Sequence, residues 1–112
     1  MTAREALESL FAAWRDGDAH RASAHFAGDA VYREARHDAL HGREAIFQHF
    51  VTFFRDGPAF RFEADDLIVE GERAAVLYRF RVETRGEWTE KTGAAIVRFD
   101  RGAITEWREF DG

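Results

Sequence analysis

The chain contains no cysteine, which excludes a disulfide framework, a thiol nucleophile and a thiolate-ligated metal. That absence also fits a reducing compartment. No apolar run approaches the roughly 20 residues of a membrane-spanning helix. The first residues, Met1-Thr2-Ala3-Arg4-Glu5, lack the apolar stretch of a secretory signal. The expectation is a cytoplasmic protein without a membrane partner. Positive charge is in deficit, with a formal net charge of −5, so no general basic footprint points to nucleic acid. No linker, low-complexity tract or repeat divides the 112 residues. That length supports one core and not two, so residues 1–112 are read as one domain.

What the chain does have is apolar and aromatic. Hydrophobic residues make up 46% of it, with eleven Phe, three Trp and two Tyr. This excludes disorder and suits a thick core or an aromatic-lined pocket. Thr2 and Glu5 have the spacing of a capping box, and Leu7, Leu10, Phe11 and Trp14 follow as one helical stripe. Gly17 stops that helix, and Asp18 caps a short second one with Ala22 and Phe26 on its inner side. Gly28-Asp29 reads as a turn into a strand, Ala30-Val31-Tyr32-Arg33-Glu34, with Glu34 on the face that looks inward. A third helix opens at His41-Gly42-Arg43-Glu44, buries Ile46, Phe50, Phe53 and Phe54, and stops at Asp56-Gly57-Pro58.

From Ala59 onward the pattern is strand and turn. Gly71, Gly86 and Gly102 mark the turns of an antiparallel meander of long strands. Alternate side chains point to opposite faces of a strand. Val76, Tyr78, Phe80 and Val82 therefore face the helices, and Leu77, Arg79, Arg81 and Glu83 face away. A slip of one residue would bury two arginines, so this register is well determined. Phe60 and Phe62 join the inner face, with a bulge near Asp65-Asp66. Between Ile104 and Phe110 both residue sets are mixed, and amphipathicity does not choose between them.

The helix–helix–strand–helix–meander order, Gly28-Asp29-Ala30-Val31-Tyr32, Gly42-Arg43-Glu44-Ala45-Ile46 and Val97-Arg98-Phe99-Asp100-Arg101-Gly102-Ala103-Ile104 carry a resemblance. Over nearly its whole length the chain resembles the SnoaL-like group of the nuclear transport factor 2-like superfamily. The resemblance implies an α+β cone, a curved sheet closed by three helices around a pocket, often as a dimer. Relatives include ketosteroid isomerases, polyketide cyclases, limonene epoxide hydrolases, dehydratases and non-catalytic binders, so the fold alone does not assign a reaction.

Compared with ketosteroid isomerase, the general-base position falls at Glu34, a sensible replacement. The two oxyanion-hole positions fall at Leu10 and Ala95, which removes the donors that matter most in such chemistry. A steroid isomerase is therefore not expected. The Asp-Arg-Asp arrangement of limonene epoxide hydrolase is not matched either, since Arg79 and Arg81 point outward. The same comparison turns Trp107, Glu109 and Asp111 inward on the last strand.

The expected site is thus Glu34 and Glu109 in an apolar cavity, with Tyr32, Phe62, Tyr78, Phe80 and Trp107 contacting a small-molecule ligand. Two carboxylates in a desolvated pocket can separate in pKa and divide base and acid roles. On the enzymatic reading Glu34 is the base, Glu109 or His41 the acid and Tyr78 a hydrogen-bond donor, in isomerisation, dehydration, cyclisation or hydrolysis without an organic cofactor. The competing reading is a non-catalytic ligand carrier or dimerisation module, in which Glu109 pairs with a basic residue at the mouth and Glu34 hydrogen-bonds a tyrosine. Glu34-x2-His37-x3-His41 superficially has metal-ligand spacing, but the segment is not one helix, and no metal is expected. His20, His25 and His49 read as helix-surface or packing residues. A homodimer is expected through the outer sheet face, where parity places Leu77, Arg79, Arg81, Ala94, Ile96, Arg98, Ile104, Glu106, Arg108 and Phe110.

Overall fold

The computed structural model describes residues 1–111. Helix α1 (Ala3–Arg15) begins with the expected capping box. The Glu5 amide donates to Thr2 Oγ1 at 3.1 Å, and the Thr2 amide donates to Glu5 Oε1 at 2.8 Å. Such a cap is worth about 1 kcal/mol. Its stripe of Leu7, Leu10 and Trp14 is buried. Helix α2 (Ala19–Ser23) is capped by Asp18, which accepts from the Arg21 amide at 3.0 Å.

Strand β1 (Phe26–Arg33) and the two-residue strand β2 (Leu40–His41) precede helix α3 (Arg43–Asp56). Gly42 starts α3 at φ 94°, a conformation that favours glycine, while its amide donates to the Ala30 carbonyl at 2.7 Å. The helix therefore leaves directly from the edge of β1. Strands β3 (Phe60–Glu70), β4 (Arg73–Thr84), β5 (Glu87–Asp100) and β6 (Ala103–Asp111) form the meander. Their connections are two-residue turns. Arg85-Gly86 and Arg101-Gly102 have positive φ at both positions, the geometry that matches the twist of a hairpin.

The sheet has the order β2-β1-β6-β5-β4-β3. It curves around the helices to give an α+β cone. All pairings are antiparallel except β1 with β6, which is parallel. The expected bulge lies between Ala64 and Asp66. Val76 and Tyr78 are buried while Leu77 is 45% exposed, as the alternation requires. The core centres on the rings of Trp14 and Trp107, 5.2 Å apart and nearly perpendicular.

Three local expectations are corrected. Phe26 does not belong to α2. That helix ends at Ser23, the chain extends, and Phe26 opens β1 opposite Ile104 while remaining buried. Gly28-Asp29 is not a turn but part of β1, whose pairing with β6 is irregular between Phe26 and Val31. Ile104 is not on the outer face. A register shift after Arg98 sets Phe99 opposite Ile104 and Arg98 opposite Glu106. The extra residue, Thr105, lets Ile104 and Trp107 both be fully buried although they are three apart.

Candidate functional site

The helices and the concave face of the sheet leave a cavity of about 220 Å³. Trp14 of α1, His49, Phe50, Phe53 and Phe54 of α3, and Phe60, Phe62, Tyr78 and Phe80 of β3 and β4 form most of its wall. Its polar lining comes from three directions. Tyr32 and Glu34 stand at the end of β1, Glu109 on β6, and Lys91 of β5 and His37 at the mouth. Ordinary ligand pockets measure roughly 300–1,000 Å³, so this one suits a small ring-sized molecule.

Glu34 and His49 form a half-buried pair, with Oε1 3.5 Å from Nε2. Burial pushes the Glu34 carboxyl up, but the hydrogen bond and charge of His49, helped by His37 and Lys91, outweigh it and hold the group below the usual carboxylate range. The same hydrogen bond raises the His49 imidazole against the opposing effect of its own burial, with the charges of Glu34 and Glu109 adding to the rise.

Glu109 behaves in the opposite way. Trp107 Nε1 donates to its Oε2 at 2.9 Å and the Tyr78 hydroxyl donates to its Oε1 at 3.2 Å. Burial dominates, the Glu34 charge adds to it, and these two neutral donors with Lys91 only partly compensate, so the carboxyl is raised. Burial, then the Glu109 charge, raises the Tyr78 phenol, and both carboxylates contribute to the rise at the fully buried Tyr32. Both phenols are therefore held as hydrogen-bond donors. Tyr78 owes its position to Gly93 opposite it: a Cβ there would come within 2.6 Å of the Tyr78 hydroxyl oxygen and 2.8 Å of the Phe110 carbonyl. The buried indole N–H of Trp14, in the cavity wall, has no hydrogen-bond partner among the described residues.

Of the residues named from sequence, Tyr32, Glu34, Phe62, Tyr78, Phe80 and Glu109 line this one cavity. Two do not. His41 is exposed on β2, paired with Val31, and does not reach the cavity, because α3 starts beyond it and turns the chain inward only afterwards. Trp107 is fully buried beneath the cavity and touches the site through its hydrogen bond to Glu109. Asp111 is exposed and pairs with Arg36 at 2.6 Å. Leu10 and Ala95, the two positions without donors, are fully buried core residues. His49 was missed. Its spacing of four from Phe53 places it on the cavity face of α3, but nothing local distinguishes that from packing. Lys91 at the mouth and the unpartnered Trp14 N–H are further site features that sequence reasoning did not single out, while His37, weighed there only for its metal-ligand spacing, also lines the mouth. No grouping of three or more acidic or histidine side chains forms a metal site among the described residues.

A curved sheet closed by three helices over a pocket defines a cone of the nuclear transport factor 2-like type. The chain belongs to the SnoaL-like domain family, whose pattern it matches over residues 7–107. No curated protein matches it by sequence. Among solved structures it is similar to an LEH-like epoxide hydrolase from M. tuberculosis, at 16% identity and TM-score 0.87 over 98% of this chain and 78% of that one. It is also similar to an NTF2-like protein of unknown function from Burkholderia pseudomallei, at 18% identity and TM-score 0.87 over 100% and 92%. A third is TerC co-crystallised with polyporic acid, at 17% identity and TM-score 0.87 over 98% and 91%. At these identities the likeness establishes the fold alone.

Proposed function

We propose that this protein binds a small, largely apolar carbonyl compound in the cone and transfers a proton on it without an organic cofactor. The observation that carries this reading is two carboxyls in one aromatic cavity with opposite partners, Glu34 against the His49 imidazole at 3.5 Å and Glu109 against the neutral donors Trp107 and Tyr78 at 2.9 and 3.2 Å, which pushes the first carboxyl down and leaves the second raised by burial. Such a split supplies a base and an acid at the same pH. Glu34, oriented by His49, takes a proton from the carbon next to the carbonyl. The electron pair moves into the carbonyl π system, and the oxygen gains a proton from Glu109 to give the enol. When the substrate carries a β,γ carbon–carbon double bond, the dienol takes the proton held by Glu34 at its γ-carbon while its O–H proton returns to Glu109, which moves the double bond into conjugation. Alternatively the enol carbon attacks a second carbonyl of the same molecule and closes a ring, with the enol O–H proton returning to Glu109 and the proton on Glu34 passing to the new alkoxide. Tyr78 holds Glu109, and Trp14 offers its free N–H to a ligand oxygen.

Deuterium uptake tests this directly. The protein is incubated with a panel of enolisable cyclic ketones in D2O, and exchange at the α-carbon is followed by NMR. Exchange faster than with buffer of equal carboxylate concentration is expected for at least one ketone. Ketones that bind without any gain in exchange would favour the carrier reading.

We also propose a two-fold homodimer through the outer sheet face. Ile68, Leu77, Ile96 and Phe110 are 58%, 45%, 36% and 41% exposed. Strand register places them as neighbours: Ile68 and Ile96 flank Ala75, and Leu77 and Phe110 flank Ala94. A contiguous apolar patch of this kind is expected at an interface. The arginines of this face are paired within one chain, Arg79 with Asp65 and Glu63, Arg81 with Glu90, and Arg98 with Glu106, which leaves the apolar residues as its unpartnered part. Light scattering at micromolar concentration should give twice the 12.9 kDa chain mass. Ile96→Glu should return it to the single-chain value; a mass of one chain for the unmodified protein refutes the dimer.

A further inference from the structure

We propose that the ligand of this cavity is amphipathic, an apolar ring body bearing one carboxylate-type anion, and that Lys91 at the cavity mouth, with His37 beside it, is the anchor for that anion. The inference rests on the pocket reading above and narrows its ligand class. Two cavities meet at the mouth of the cone. The inner one is walled by aromatic rings, and the outer one is a polar bowl that includes Arg36, Glu90 and Asp111. They share only two residues, His37 and Lys91, and both carry basic groups. A molecule seated with its apolar part inside and its polar end at the boundary meets these two side chains first.

The other charges nearby are already matched within the protein. Arg36 pairs with Asp111 at 2.6 Å, Glu90 with Arg81 at 3.1 Å, and Glu34 with His49 at 3.5 Å. Lys91 has no ion-pair partner among the described residues. Its Nζ lies over the Phe80 ring, 5.9 Å from the centroid, so the ammonium itself stands against the aromatic wall where the two cavities meet. It is also the only lysine among the chain's 16 Lys and Arg residues. An ammonium is a compact charge with rotatable donors, and it accepts an anion in several orientations. The field of Lys91 reaches both Glu34 and Glu109, so an anion placed on it lies within range of the catalytic pair. The two carboxyls do not bar such an anion. Glu34 is turned to His49 at 3.5 Å and Glu109 is held by the Trp107 and Tyr78 donors, both inside the cone and away from the outer bowl.

Three probes with one ring system separate the possibilities: 2-naphthoate, 2-naphthamide and 2-naphthylmethylamine, titrated by NMR against the aromatic side-chain signals of the cavity. The naphthoate should bind more tightly than the amide by roughly three- to tenfold, the worth of a partly exposed charge pair. Lys91→Met, at an exposed position, should erase that preference and leave the amide Kd unchanged. Reductive dimethylation with labelled formaldehyde keeps the charge and yields one lysine reporter, whose signal should shift with naphthoate and not with amide. Equal or tighter binding of the amide or the amine, or a preference that survives Lys91→Met, overturns the anion anchor while leaving the pocket standing. If none of the three probes moves the cavity signals, the pocket reading fails and the anchor falls with it.

Discussion

Glu34→Gln should slow α-proton exchange by about 10²- to 10⁴-fold, the usual contribution of a positioned general base, and leave the fold intact. The side chain is 35% exposed, and the amide matches it in size, so no cavity or clash is created. The variant should also lower the pKa of His49, because the Glu34 hydrogen bond is the main cause of its elevation. Following the imidazole signals through a pH titration reads that change apart from activity. A merely structural Glu34 would shift His49 without touching exchange, and unchanged exchange would remove the base assignment.

The sign of the pH dependence follows from the same pair. The Glu34 carboxyl is depressed in the folded state, so its contribution to stability is present above its unfolded pKa and is lost as pH falls through the folded value. The His49 imidazole is elevated, so its contribution is present below its unfolded pKa and is lost as pH rises through the folded value. The proposed proton transfer adds Glu109, which on that reading must hold its proton. Exchange should therefore rise through the apparent ionisation on the Glu34 side, below the ordinary carboxylate value. It should fall through the one on the Glu109 side, above that value.

Trp107→Ala should cost about 3–5 kcal/mol, the usual loss for a large aromatic removed from a core. Trp107 is fully buried and packs on Trp14 at 5.2 Å, Tyr32 at 6.3 Å and Phe11 at 6.4 Å. Against a total stability of about 5–15 kcal/mol for a domain, that is a large fraction, visible as an earlier urea midpoint. Trp107→Phe keeps a six-membered ring and loses the five-membered ring that carries the donor to Glu109 Oε2. It should cost less than Trp107→Ala, with about 1–3 kcal/mol from the lost donor and the rest from the smaller void, and raise the Glu109 pKa further. A Glu109 carboxyl signal in labelled protein that titrates as before would separate Trp107 from the site.

The meander was legible because its turns are written in glycines and its faces in alternation: Gly71, Gly86 and Gly102, then Val76, Tyr78 and Phe80 against Leu77. The inward position of Glu34 followed from parity with Tyr32 and from family resemblance. Ile104 was not legible, because a bulge changes parity without leaving a composition signal. Phe26 was misplaced because an apolar residue after a short helix suits either the helix or the next strand. His49 was missed because its role depends on a carboxylate fifteen positions away in sequence, brought to 3.5 Å only when α3 packs over the end of β1. His41, nearer Glu34 in sequence, lies on the wrong side of the turn at Gly42. The cavity is the space the elements fail to fill, and no single segment encodes it.

The parallel seam between β1 and β6 also bears on how the molecule assembles. The meander hairpins close through two-residue turns, and such units form within microseconds. The seam joins Phe26 to Ile104 and Tyr32 to Trp107, across most of the chain, and must wait for a costly loop closure. Glu34 stands at the end of that late strand, whereas Tyr78 and Glu109 belong to strands that zip early. The two carboxyls of the proposed acid–base pair should therefore come together late in folding, and amide exchange at the seam should report when they do.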